Sequence, residues 1–135
     1  MALNASFGFT GKDIRPADCT VDEDVGDFVH ISGNPIDNKE QVRKANPESI
    51  SGMPAVGVII FKPSTVTCLV QWFGETPDIF TGLVAGQRYF VGVDARAVDL
   101  PPRDAAGRLA QIMGVATTPT RFYVQPNSQM TMLFA

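Results

Sequence analysis

The sequence predicts an all-β fold, a small β-barrel or β-sandwich with an extended N-terminal arm, on three observations. Its apolar residues fall in short runs rich in Val, Ile, Phe and Thr rather than in helical stripes. Gly (12) and Pro (10) recur often enough among 135 residues to interrupt those runs with turns. One stretch, residues 53–74, reads as two consecutive strands joined by Lys62-Pro63-Ser64, the pattern of a hairpin.

Residues 1–26 carry little periodicity and many acids (Asp13, Asp18, Asp22, Glu23, Asp24), so they are expected to form the arm; residues 27–135 form one β-rich domain. Asp27-Phe28-Val29-His30-Ile31-Ser32-Gly33, ended by Gly33-Asn34-Pro35, is the first strand. Residues 39–45 fit either a helical turn or a charged edge strand ended by Asn46-Pro47, and the pattern leaves both open. In the hairpin's second strand Val66, Cys68, Val70 and Trp72 alternate with Thr67, Leu69, Gln71 and Phe73, which predicts that the Val66–Trp72 face is core. Gly86 is placed in a turn with positive φ before a strand from Arg88 to Val93. Residues 104–114 could be a helix capped by Asp104 and Gly114. Gly107 and the β-branched residues that follow favour instead a strand from Leu109 to Ala116, paired through residues 117–120 with Arg121–Val124. The apolar end, Met132-Leu133-Phe134, needs cover from the chain itself or from a neighbour.

Composition narrows function. With 44% hydrophobic and 19% charged residues the chain has material for a core. A net charge of −3 with no basic cluster argues against nucleic-acid binding. No apolar run approaches the roughly 20 residues of a membrane span, and Met1-Ala2-Leu3-Asn4 lacks the parts of a signal peptide, so assembly in a cytoplasm-like compartment without a membrane partner is expected.

Catalytic candidates are few. His30 is the lone imidazole, and on a strand it points away from the face that carries Asp27, so no carboxylate orients it. Cys68 sits among Val66, Val70 and Trp72, where burial suppresses thiolate chemistry. Cys19 and Cys68 have no CxxC spacing and are read as free buried thiols that, with one His, cannot make a zinc site unaided. Asp22-Glu23-Asp24 lacks the ligand spacing of a calcium loop, and Gly82–Gly86 lacks the Lys and Ser/Thr of a P-loop. No enzyme activity, metal or cofactor is therefore expected. Five of the seven arginines lie in the C-terminal half, opposite in sign to the acidic arm. That asymmetry fits either an arm lying across a neighbouring subunit or ordinary solvated charge. Phe7, Phe9, Asp22, Glu23, Asp24, Met132, Leu133 and Phe134 are the partner-binding candidates.

A resemblance extends this reading. Thr81-Gly82-Leu83-Val84-Ala85-Gly86-Gln87-Arg88-Tyr89-Phe90-Val91-Gly92, then Pro101-Pro102, then Gly107 and Gln111-Ile112-Met113-Gly114-Val115-Ala116, resembles a module of tailed-bacteriophage virion proteins: a G-L-x-x-G-x-x-Y-x-x-G strand pair followed by G-x-x-x-Q-x-x-G-x-A. The likeness covers about the last 80 residues, from Met53. It implies a β-domain of the kind found in capsid decoration (cement) proteins, head fibres and tail fibres. The implied protein is non-enzymatic, self-associates, commonly as a trimer, and binds the major capsid protein or another virion protein. A head-fibre or tail-fibre adaptor that binds a receptor or carbohydrate is the alternative. The resemblance carries no catalytic residues; Gly82, Gly86, Gly92, Gly114, Tyr89 and Gln111 are implied to be fold determinants.

Overall fold

A computed structural model describes residues 11–102, 107–127 and 129–132. The strands are β1 (Asp13–Asp18), β2 (Phe28–Ile31), β3 (Glu40–Lys44), β4 (Ala55–Phe61), β5 (Thr67–Glu75), β6 (Arg88–Val91), β7 (Ala97–Val98), β8 (Leu109–Ala110), β9 (Ile112–Ala116), β10 (Phe122–Val124) and β11 (Thr131–Met132). A single 3-10 turn, Ile50–Gly52, precedes β4, and no α-helix occurs among the described residues.

The first five strands close on themselves. Their order is β1-β3-β2-β4-β5, and β5 pairs back onto β1, which makes a five-stranded barrel. All its pairings are antiparallel except β1 with β3. From β5 the sheet continues through β10, β9, β6 and β7, so a second layer is hung on the barrel by the β5–β10 pairing. A separate two-stranded sheet joins β8 and β11. The all-β class expected from the sequence is thus observed, and of the barrel and the sandwich it left open the barrel is the one formed.

Alternation along the barrel strands produces two cores. Ala17, Val29, Val42, Ile59, Cys68 and Val70 point inward and fill the barrel. The outward side chains Phe28 and Val58 meet Tyr89, Val91, Met113, Phe122 and Val124 of the second layer. Phe122 is the hub, with ring centroids 5.9 Å from Phe28, 5.6 Å from Phe80 and 6.1 Å from Tyr89, separations at which tilted and edge-on rings attract.

The hairpin over residues 53–74 is β4–β5, and residues 39–45 resolve to an edge-type strand rather than a helical turn. Ile112–Ala116 pairs antiparallel with Phe122–Val124 as β9–β10, while the strand expected from Leu109 is broken at Gln111, because Leu109–Ala110 (β8) pairs with β11 instead. Gly86 has φ +85°.

Two expectations need correction. Residues 13–26 are not a detached arm: β1 pairs with β5 over six residues and with β3 at Ala17 and Asp18, and it closes the barrel. Its inward residues are Ala17 and, just past its end, Cys19, both buried, too small to register as a hydrophobic period. Pro16 is tolerated because it precedes the two positions where β1 pairs with β3. The rest of the expected arm, residues 1–10, lies outside the described residues. The apolar face of β5 is also shorter than expected. Cys68 and Val70 are fully buried, but Val66 precedes the strand and is 51% exposed, while Trp72 is only half-buried where the barrel opens. The opposite face carries Gln71, completely buried because the second layer covers it.

Candidate interaction surface

β1 runs from Asp13, opposite Phe73, to Asp18, opposite Thr67, so the barrel has two distinct ends. At the Asp18 end the loop after β1 folds against the β4–β5 turn. Lys62 Nζ donates to the carbonyls of Thr20 (3.0 Å) and Glu23 (2.6 Å), and Cys19 N donates to Val66 O (2.9 Å). Among the partner candidates Glu23 is therefore corrected. It is 3% exposed, and its carboxylate accepts from Thr20 N and Oγ1 (both 2.7 Å), because a buried acid needs internal donors. Asp22 and Asp24 are exposed on the same loop, as is Val21, and Phe61 at the end of β4 and Val66 in the β4–β5 turn also face solvent. This end is an apolar rim with acidic flanks.

Asp27, next in the chain, is fully buried and lies 2.6 Å from Arg96 Nε and 3.9 Å from Lys44 Nζ, while its Oδ2 accepts from Asp24 N at 2.8 Å. Burial pushes its carboxyl above the usual range, against the opposing pull of that backbone N–H, Arg96 and Lys44. The pair fastens the barrel to the loop between β6 and β7, and Phe28 N adds a bond to Ala95 O in that loop. Asp27 is thus committed to Arg96, and His30 Nδ1 lies 3.0 Å from Ile31 O, so the two do not form an acid–base pair. Cys19 and Cys68 are free and buried, and the Cys68 thiol is pushed up to about 12, first by burial and then by Cys19. Among the described residues no cluster of three His, Cys, Asp or Glu could hold a metal ion.

At the Asp13 end Arg15 forms an ion pair with Asp13 (2.8 Å) and lies 4.1 Å over the Trp72 ring. Beside Trp72 an apolar groove of about 260 Å3 is lined by Pro54, Ala55, Val56, Trp72, Gln111 and Pro126. A wider cleft of about 450 Å3 runs along β9, with Arg88, Gln125 and Asn127 as its polar lining. Sequence reasoning missed both. The groove's walls come from β4, β5 and the segments flanking β9 and β10, brought together only by the barrel's closure and the added layer.

Of the remaining partner candidates, Met132 is 46% exposed on β11, and Phe7, Phe9, Leu133 and Phe134 lie outside the described residues. The residues of the sequence motif do converge. Tyr89 Oη accepts from Val84 N (2.9 Å), which closes the turn that contains Gly86. Gln111 joins β4 to the segment after β10. Gly114 has φ +148°, and a Cβ there would collide with the Tyr123 carbonyl. No family model, curated protein or solved structure matches the chain.

Proposed function

We propose that the chain is a non-enzymatic virion structural protein, a capsid decoration (cement) protein of a tailed phage. In this reading it self-associates, with a trimer favoured, and binds the major capsid protein or another virion protein without cofactor, nucleic acid or membrane. The supporting observation is that Leu83, Gly86, Tyr89, Gln111, Gly114 and Ala116, six of the positions that carry the resemblance, serve one structural unit. Leu83, Tyr89 and Ala116 pack in the core around Phe122, and the others shape its turns and cross-links. They make a scaffold rather than a reacting site. The acidic-flanked rim of Val21, Phe61 and Val66 offers an apolar surface for attachment, with Asp22 and Asp24 selecting a basic counterpart.

The polar cleft beside Arg88, Gln125 and Asn127 favours the second reading, a fibre adaptor that binds carbohydrate, because sugars need several convergent polar groups. Cosedimentation with empty capsids of the phage that encodes the chain, together with its solution mass, separates the readings. A trimer that saturates capsids supports decoration. A chain that stays in the supernatant and binds glycans instead removes it.

A further inference from the structure

We infer that the groove beside Trp72 is the docking site for the chain's own Phe7-Gly8-Phe9 segment. This step does not depend on the virion reading. The described chain begins at Gly11, whose carbonyl oxygen lies so close to Gly74 that a Cβ on Gly74 would be 2.8 Å from it. Gly74 is two residues beyond Trp72, about 7 Å along an extended strand, and Phe9 and Phe7 can lie about 7 and 13 Å from Gly11 at ~3.3 Å per residue. The described chain thus begins beside β5, two residues beyond Trp72, and a segment that turns back from Gly11 is long enough to bring Phe7 and Phe9 to the groove.

The chemistry matches. The groove's lining is uncharged and mostly apolar, formed by two prolines, Ala55, Val56 and the Trp72 ring. In an extended segment Phe7 and Phe9 present their rings on one face, and Gly8 between them lets the backbone lie close. The buried Trp72 Nε1 donor has no acceptor among the described residues, an unmet need of the kind that a peptide carbonyl answers. Tethering through so short a connection gives an effective concentration in the millimolar range, far above that of a second copy in dilute solution.

Trp72 is the single tryptophan, so its fluorescence reports the groove alone. In the full chain Phe7→Ser combined with Phe9→Ser should shift Trp72 emission to the red and raise its quenching by acrylamide, equally at every protein concentration. Unchanged emission and quenching would overturn the assignment. So would an effect that fades on dilution together with loss of a dimer, which would place a second copy's segment in the groove, or one seen only when another protein is added. The wild-type chain gives a test that needs no variant: nuclear Overhauser contacts between the Phe7 or Phe9 ring and the Trp72 indole are expected, and their absence in the monomer rejects own-chain docking.

Discussion

The side-chain amide of Gln111 acts as a strand partner for Ala55: its Oε1 accepts from Ala55 N at 2.8 Å and its Nε2 donates to Ala55 O at 2.9 Å. The same Nε2 donates to Asn127 O at 2.9 Å, so one buried amide links the barrel strand β4 to the second layer. Gln111→Leu keeps the approximate volume and deletes all three bonds. Each backbone group left buried without a partner costs about 1–3 kcal/mol, so a lowered urea midpoint is expected, with Gln111→Glu only partly restoring it because a carboxylate cannot donate. A midpoint equal to wild type would show that water replaces the amide at no cost.

Two glycines of the motif should separate by cost. At Gly114 a Cβ meets the Tyr123 carbonyl and the Phe122 ring, and the backbone has positive φ. At Gly86, φ is +85° but nothing lies within 4 Å of the added carbon. Gly86→Ala should therefore cost only the backbone strain, about 1–2 kcal/mol, whereas Gly114→Ala must also part β9 from β10 and should unfold the second layer. Thermal melts of the two variants, read with tyrosine near-ultraviolet circular dichroism, order them; equal melting temperatures would contradict the contrast.

The β4–β5 hairpin was readable because Val58, Ile59 and Val70 are large, β-branched and sharply bounded by Pro54, Pro63 and Ser64. β1 was not, because its inward residues Ala17 and Cys19 are small and its stability comes from closing β5's edge, a long-range pairing with no local signal. Glu23 looked like a solvated charge for the same reason: its donors at Thr20 are local, but Lys44 N, which bonds its carboxylate, and Lys62 Nζ, which bonds its carbonyl, lie far along the chain. The groove beside Trp72 draws on residues from Pro54 to Pro126, so no window of sequence contains it.

Cys68 supplies a prediction on reactivity and on alkaline stability. In the folded chain its thiol is pushed up to about 12 from an ordinary 9.0, so the native state holds a proton that the unfolded state releases. This contribution is fully present below pH 9.0 and is lost as pH rises through about 12. Wild type should therefore lose stability above pH 9 more steeply than Cys68→Ala, measured by urea titration at fixed ionic strength. Folded protein should also react with iodoacetamide far more slowly than unfolded protein at pH 8. Equal slopes and fast labelling in the native state would place the thiol in contact with solvent.

Asp27 predicts a second pH dependence at the acidic end. Its carboxyl lies above the ordinary 3.8 because burial outweighs Arg96, Lys44 and the Asp24 N–H, so at intermediate pH the native state binds a proton that the unfolded state does not. The contribution is fully present below pH 3.8 and is lost as pH rises through the folded value, opposite in sign to the usual exposed carboxylate paired with a cation. Wild type should gain stability relative to Asp27→Asn as pH falls from 7 toward 3.8. Arg96→Met removes the nearest counter-charge, at 2.6 Å, and should cost about 1–3 kcal/mol at pH 7, toward the lower end because that guanidinium is half-exposed. Its penalty should shrink as Asp27 is protonated, since a neutral acid no longer needs the cation. Chemical denaturation of the three proteins across this range measures both trends; a wild-type advantage over Asp27→Asn that grew with rising pH would mean the Arg96 pair stabilises the charged carboxylate by more than burial disfavours it.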